Sequence, residues 1–396
     1  MSPIHCARLL RLDLGLGDKP VCAGEIFDQK RFERFGAITH PPSCPSTRAN
    51  QKRTPNPQRP APSTVPSMPF TMEHWEDPIA LQSVRLPSQF SLQRDPTMLN
   101  IQPTGATLGA TVTGIDLTQP LSHTDFVKII RALGHHGVLC FPKQLIDARA
   151  LKKFSERFGS LQVVKGIPYF EPGMPEVSIL SNIVEGGRNV GFPDAGQEWH
   201  TDMTYNSTVG FVNVLVAHKV PVREGVTLGR TEFTNTQAAY DDLDAALKTR
   251  LASATATHDL NFYWEYMRRE RGSTRPALTP EQRAARPPVH HPVFLRHPIT
   301  GRMIVYVNPG FTESIDGLER AESDAMLKCL FDHVLQPKYR HAHHWTEGDV
   351  LIWDHLGTWH YAVPDYRADE HRLMKRCQVM ADRIFDPVFQ REMLAA

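Results

Sequence analysis

Two short fragments carry most of the chemistry this chain offers. One is Glu198-Trp199-His200-Thr201-Asp202. The other is Trp353-Asp354-His355-Leu356-Gly357-Thr358-Trp359-His360, followed by Arg372 and Arg376. Together they supply two imidazoles, one carboxylate and a pair of guanidinium groups. Two His and one carboxylate on one face of an iron ion, with the other positions open, form the ligand set of a non-haem Fe(II) oxygenase. The arginines would clamp an anionic co-substrate.

The spacing suits a metal. His200 and Asp202 are two residues apart, and residues i and i+2 of a strand share a face. Thr201, Thr204, Tyr205 and the β-rich run Phe211-Val212-Asn213-Val214-Leu215-Val216 read as extended chain, so both ligands are expected on a strand or strand end. His360 follows the apolar run Val350-Leu351-Ile352-Trp353, which also reads as a strand. A structural zinc site would fill all four positions with protein ligands, usually including Cys. Each piece alone has an ordinary reading: His-x-Asp as a turn or hydrogen-bonded pair, His360 as a satisfied polar residue, the arginines as ion-pair partners. The combination and its order separate the readings.

From about Leu99 to about Asp382 the chain resembles the taurine dioxygenase/TfdA family of Fe(II)- and 2-oxoglutarate-dependent dioxygenases. The resemblance runs through Ile115-Asp116-Leu117-Thr118-Gln119-Pro120-Leu121-Ser122 and Phe154-Ser155-Glu156-Arg157-Phe158-Gly159-Ser160-Leu161. It continues through Trp199-His200-Thr201-Asp202-Met203-Thr204, His291-Pro292-Val293 and Asn308-Pro309-Gly310-Phe311-Thr312. It ends in Trp353-Asp354, His360-Tyr361-Ala362 and Arg372-Leu373-Met374-Lys375-Arg376. The resemblance implies His200, Asp202 and His360 as iron ligands. It implies Arg372 as the partner of the far carboxylate of 2-oxoglutarate, with the Thr227 hydroxyl beside it. Arg376 would be the second guanidinium, facing the near carboxylate or an anionic substrate.

The taurine enzymes carry a His shortly after the Phe-Gly-x-Leu segment; Val164 stands there in this chain. Val cannot donate a hydrogen bond to a sulfonate, so a substrate other than taurine is expected. Lys165 is a nearby cation that could take over that role, or simply a solvated lysine. His355 stands where many relatives have Asn and reads as a neighbour of the site.

Many short strands with helices packed outside suit a mostly β fold with flanking helices. The resemblance implies a double-stranded β-helix, a jelly roll of the cupin type. Strands are expected near 137–141, 211–219, 229–234, 292–297, 302–307, 349–354 and 373–381. Apolar stripes predict helices around Phe126, Ile129, Ile130 and Leu133; around Leu151, Phe154 and Phe158; over residues 236–252; and over residues 317–335. Residues 255–290, polar and charged, read as a long connection that is either a lid or a surface excursion. His341-Ala342-His343-His344 is a tempting metal cluster but reads as exposed.

The chain has 396 residues, formal net charge +1 and 41% hydrophobic content. That is enough for one large domain, 96–396, behind an extension, 1–95, whose Pro-rich stretch from Pro41 to Pro69 predicts disorder. The extension reads as an over-extended gene start in preference to a targeting segment. Near-neutral charge gives no footprint for nucleic acid, and no apolar run approaches membrane-spanning length. Six scattered cysteines without a Cys-x-x-Cys pair read as reduced thiols of a cytoplasmic protein. Relatives of this kind imply a homo-dimer or homo-tetramer.

The expected reaction is hydroxylation of a small, anionic organic substrate with 2-oxoglutarate and dioxygen, including C–S or C–O cleavage where the hydroxylated carbon bears sulfur or oxygen. Two rivals stand beside it: a zinc-dependent hydrolase on the same ligands, and a non-catalytic member of the fold that binds a small acid.

Overall fold

The computed structural model describes residues 98–164, 168–273 and 275–394. The extension over 1–95 and Lys165 therefore lie outside the described residues. No helix among the described residues is long and apolar enough to cross a membrane.

The main sheet has eight strands in the order Asn100–Pro103, Ala110–Thr113, Val138–Phe141, Val350–Asp354, Gly210–Lys219, Leu373–Met380, Met174–Ser181 and Phe170–Glu171. Gly210–Lys219 is buried from end to end except at its last two residues. Its run of Val and Leu fits a central strand covered on both faces. A three-stranded sheet, Arg340–His343, Thr231–Asn235 and Thr358–Ala362, provides a second layer. Phe233, Trp345, Trp353, Leu215 and Met374 form a buried apolar cluster that joins the two.

Helices cover the outside. His123–His136 starts at Ser122, whose side chain accepts from the Asp125 N–H, and stops at Gly137, φ 66°. Its predicted stripe, Phe126, Ile129, Ile130 and Leu133, is buried against the main sheet. On the other side, Arg320–Val334 packs against the three-stranded sheet through Phe331, whose ring lies edge-on 5.7 Å from Trp359. Alternation along Thr358–Ala362 decides the site. Trp359 turns to the helices, while His360 turns to the inter-sheet layer, 4.9 Å from the Trp353 ring.

Four expectations need correction. Residues 236–252 form two helices, Thr236–Asp241 and Ala245–Arg250. The Asp244 side chain accepts from the N–H groups of Ala246 and Leu247 and so starts a new helix. The stripe survives because Leu243, Leu247 and Leu251 all remain buried. Residues 255–290 are not a structureless connection: they contain the strand Thr255–His258 and the helices Leu260–Glu270 and Pro280–Ala284. His341 and His343 are not fully exposed, since they belong to the strand Arg340–His343 and are half-buried. Cys140 and Cys377 are free thiols, whereas Cys329 is disulfide-bonded, against the expectation of reduced thiols throughout. Cys6, Cys22 and Cys44 lie outside the described residues.

Candidate metal centre

His200 does not sit in a long strand. It makes a single antiparallel bridge to His360. Each main-chain N–H donates to the other's carbonyl, at 3.1 and 2.7 Å. Immediately afterwards the chain turns, with Met203 at φ 65°. Asp202 lies in that turn, so the turn and not strand alternation brings its carboxylate beside the two rings. His200 Nε2 is 3.5 Å from Asp202 Oδ1, and His360 Nε2 is 3.6 Å from Asp202 Oδ2. All three side chains are buried, and their ligand atoms lie within 4.8 Å of one another.

The protonation pattern leaves lone pairs available. His200 Nδ1 is 2.7 Å from the Glu198 carbonyl oxygen. A carbonyl can only accept, so Nδ1 carries the hydrogen and Nε2 is free to ligate. Burial, and then the neighbouring His200 ring, push His360 well below its ordinary pKa, which keeps it neutral. For Asp202, burial by itself raises the pKa. Arg376 foremost, then His200 and His360, overcome that and hold the carboxyl well below the usual range. Two imidazoles and one carboxylate suit a divalent iron.

The arginines divide the work. Arg376, on the strand Leu373–Met380, donates from Nη1 to Asp202 Oδ2 at 3.2 Å. Its Nε is buried with no hydrogen-bond partner among the described residues. Arg372 is only 7% exposed and forms no ion pair with a carboxylate among the described residues. Its main chain is pinned instead: its N–H donates to Asn182 Oδ1 at 2.7 Å and its carbonyl accepts from Ser181 Oγ at 2.8 Å. Burial lowers the pKa of the guanidinium, with Tyr366 opposing, but Arg stays cationic in proteins. A buried cation without an acidic partner is costly unless an anion joins it.

Thr227 is half-buried on the short strand Val226–Thr227, paired with Val222–Arg223. Two residues on, Gly229 (φ 71°) leaves so little room that a Cβ there would lie 3.3 Å from Arg372 Cδ. The hairpin thus reaches Arg372 through Gly229. Val164 is half-buried and lies next to residues 165–167, which fall outside the described residues. His355 is fully buried beside the centre, 6.1 Å from the His360 ring, and burial lowers its pKa to about 4.

Several supporting residues have no sequence motif. The Glu198 carboxylate accepts from Tyr266 Oη at 2.8 Å and from Arg271 Nη2 at 2.6 Å, which ties the Leu260–Glu270 helix to the segment holding His200. That helix brings Tyr263 within 6.2 Å of the His200 ring, with Phe311 at 5.8 Å. The turn before His360 is organised by Asp354. It accepts from the N–H groups of Leu356 and Gly357 and from His297 Nε2 at 2.8 Å. His297 is buried completely and no motif marks it.

The sequence profile described as "Taurine catabolism dioxygenase TauD, TfdA family" matches residues 100–378. The chain belongs to that family. TauD/TfdA members are 2-oxoglutarate-dependent dioxygenases, so the protein is an oxidoreductase that uses Fe(II), 2-oxoglutarate and molecular oxygen. The chain is 32% identical over 295 residues to pentalenolactone F synthase of Streptomyces avermitilis, covering 72% of this chain and 94% of that protein. It is 30% identical over 279 residues to the (S)-phenoxypropionate/alpha-ketoglutarate-dioxygenase of Delftia acidovorans, covering 68% and 90%. Among solved structures, AAD-2 in complex with Mn(II) and N-oxalylglycine superposes with a TM-score of 0.58 at 25% identity, covering 72% of this chain and 97% of that one.

Proposed function

We propose that His200 Nε2, His360 Nε2 and an Asp202 oxygen hold Fe(II), and that Arg372 receives the far carboxylate of 2-oxoglutarate with the Thr227 hydroxyl nearby. The observation that carries this reading is the buried Arg372 guanidinium without a carboxylate partner among the described residues, immediately before the strand Leu373–Met380 that presents Arg376 to Asp202. The two imidazoles and the depressed carboxyl fit the ion, and the AAD-2 complex, with a divalent metal and a small diacid, supports the pairing. Bound there, Fe(II) supplies hydroxylation of a substrate C–H bond, coupled to conversion of 2-oxoglutarate and dioxygen into succinate and carbon dioxide.

The chain's own groups do the positioning. The His200–His360 bridge fixes two ligand directions, and Arg376 keeps Asp202 ionised and oriented. Tyr263 and Phe311 wall the His200 side with apolar surface that keeps water away. The unpartnered Nε of Arg376 is free for the near carboxylate or for a substrate anion. The substrate is a small anionic organic molecule; the phenoxypropionate named for one relative is of this class. The two stacked layers read as a double-stranded β-helix of the jelly-roll type. A zinc hydrolase on the same ligands would have no use for Arg372, because hydrolysis needs no dicarboxylate clamp.

The test is anaerobic titration of the Fe(II) protein with 2-oxoglutarate, following the weak visible metal-to-ligand charge-transfer band. The band forms in wild type, disappears in His200→Ala, and in Arg372→Ala needs roughly 100-fold more 2-oxoglutarate, as for loss of a buried charge pair. Iron-loaded, folded wild type that gives no band overturns the reading.

A further inference from the structure

A second group of metal-ligating side chains lies outside the dioxygenase centre. Cys140 is on the strand Val138–Phe141 of the main sheet, His343 ends the strand Arg340–His343 of the three-stranded sheet, and Asp349 closes the turn that leads from one sheet to the other. Their ligand atoms lie within 4.8 Å of one another. The His343 side chain is 13% exposed and that of Asp349 6%.

The contacts inside this group are poor as hydrogen bonds and good as a ligand spacing. His343 Nε2 is 3.3 Å from Asp349 Oδ2, yet it is buried with no hydrogen-bond partner among the described residues. Two ligands about 2.0 and 2.1 Å from one tetrahedral ion lie about 3.4 Å apart. The ring is held from outside by Trp345, edge-on at 4.7 Å. The carboxylate is held by the Thr346 N–H, which donates to Asp349 Oδ2 at 2.9 Å. Cys140 is not in a disulfide.

We propose that Cys140 Sγ, His343 Nε2 and Asp349 form a second metal site that takes Zn(II) or a similar thiophilic divalent cation. Thiolate and imidazole select zinc-like ions over the hard ions that prefer all-oxygen sites. A thiolate and a carboxylate also neutralise the two positive charges, which suits a largely buried position. The fourth position is left for water. A cation there joins the main sheet to the three-stranded sheet that carries His360, so it acts as a cross-link of the fold and not as a second oxidation centre.

The test is Co(II) titration of the metal-stripped full-length protein. The dioxygenase centre contains no sulfur, so thiolate-to-Co(II) charge transfer in the near ultraviolet reports on the second site alone. The band saturates at one equivalent in His200→Ala, where the dioxygenase centre is disabled, and by two equivalents in wild type and Cys377→Ala. It is lost in Cys140→Ser and His343→Gln. On wild type alone, so that no variant need fold, zinc-edge X-ray absorption shows a sulfur shell at about 2.3 Å. Absence of the sulfur shell and of the band, a band that survives Cys140→Ser, or binding only at millimolar metal overturns the proposal.

Discussion

His200 and His360 hold each other through their main chains, each donating its N–H to the other's carbonyl, and their ring centroids lie 4.1 Å apart with the planes tilted by 43°. Two ligands distant in sequence are therefore set by a two-residue antiparallel bridge. Metal binding does not have to assemble that part of the site. The centre is preorganised on its histidine side, and what can be perturbed is what packs behind it.

Gly310 packs behind His200. A Cβ at 310 would lie 2.6 Å from His200 Cβ, closer than such atoms come. Gly310→Ala must push the His200 backbone away from His360. We expect Fe(II) affinity to fall by about 10- to 100-fold, the range seen when a ligand's support is removed, with Tm lowered only modestly. Calorimetric titration with Fe(II) under anaerobic conditions measures it; unchanged affinity contradicts the packing argument.

Asp354 organises the turn that delivers His360. Asp354→Ala leaves the Leu356 and Gly357 N–H groups and His297 Nε2 without their acceptor in a site with no solvent exposure. Each stranded donor costs about 1–3 kcal/mol, so destabilisation of about 3 kcal/mol or more is expected. Urea denaturation of the metal-free protein reads it without involving catalysis. A loss below 1 kcal/mol would mean that the turn re-forms on other partners.

Gly229 is a lever on the co-substrate alone. Its φ of 71° and its contact with Tyr366 and Arg372 leave no room for a side chain. Gly229→Val should displace Arg372 and raise the 2-oxoglutarate KM by about 10-fold or more, while Fe(II) binding stays as in wild type. Equal effects on both would place the strain elsewhere.

His258 makes stability depend on pH. It is fully buried, and burial first, then the adjacent His291, lowers its pKa to about 3, against the opposing pull of Asp316. Between about 6.5, where the unfolded imidazole titrates, and about 3, the unfolded chain binds a proton that the folded chain refuses. Stability should therefore fall as pH drops through that window, by at most about 1.4 kcal/mol per pH unit from this group. Thermal denaturation of His258→Gln beside wild type isolates it: the variant's slope should be shallower by about one proton. Parallel slopes would assign the acid sensitivity to other residues.

The sequence by itself determined the candidate ligand triad, the candidate arginine pair and the central strands of the main sheet. His200, Asp202 and His360 are legible because their residue types are scarce as a set and stand in a recognisable order. The strands around 211–219, 349–354 and 373–381 are legible because apolar runs of that length must be buried. The helix break at Asp242–Asp244 is harder to read, since the apolar stripe continues across it while a side-chain cap restarts the backbone. What only the tertiary structure decided are contacts between residues that share no local pattern. Glu198 meets Tyr266 and Arg271, His297 meets Asp354, and Cys140 meets His343 and Asp349. Each pairing depends on which strands become neighbours and on the direction a turn takes. The His200–Asp202 geometry is the clearest case: spacing predicts a shared strand face, but the structure reaches the same convergence through a turn with Met203 in the left-handed region. Periodicity reports which face a residue occupies only where the chain stays regular, and the centre lies where it does not.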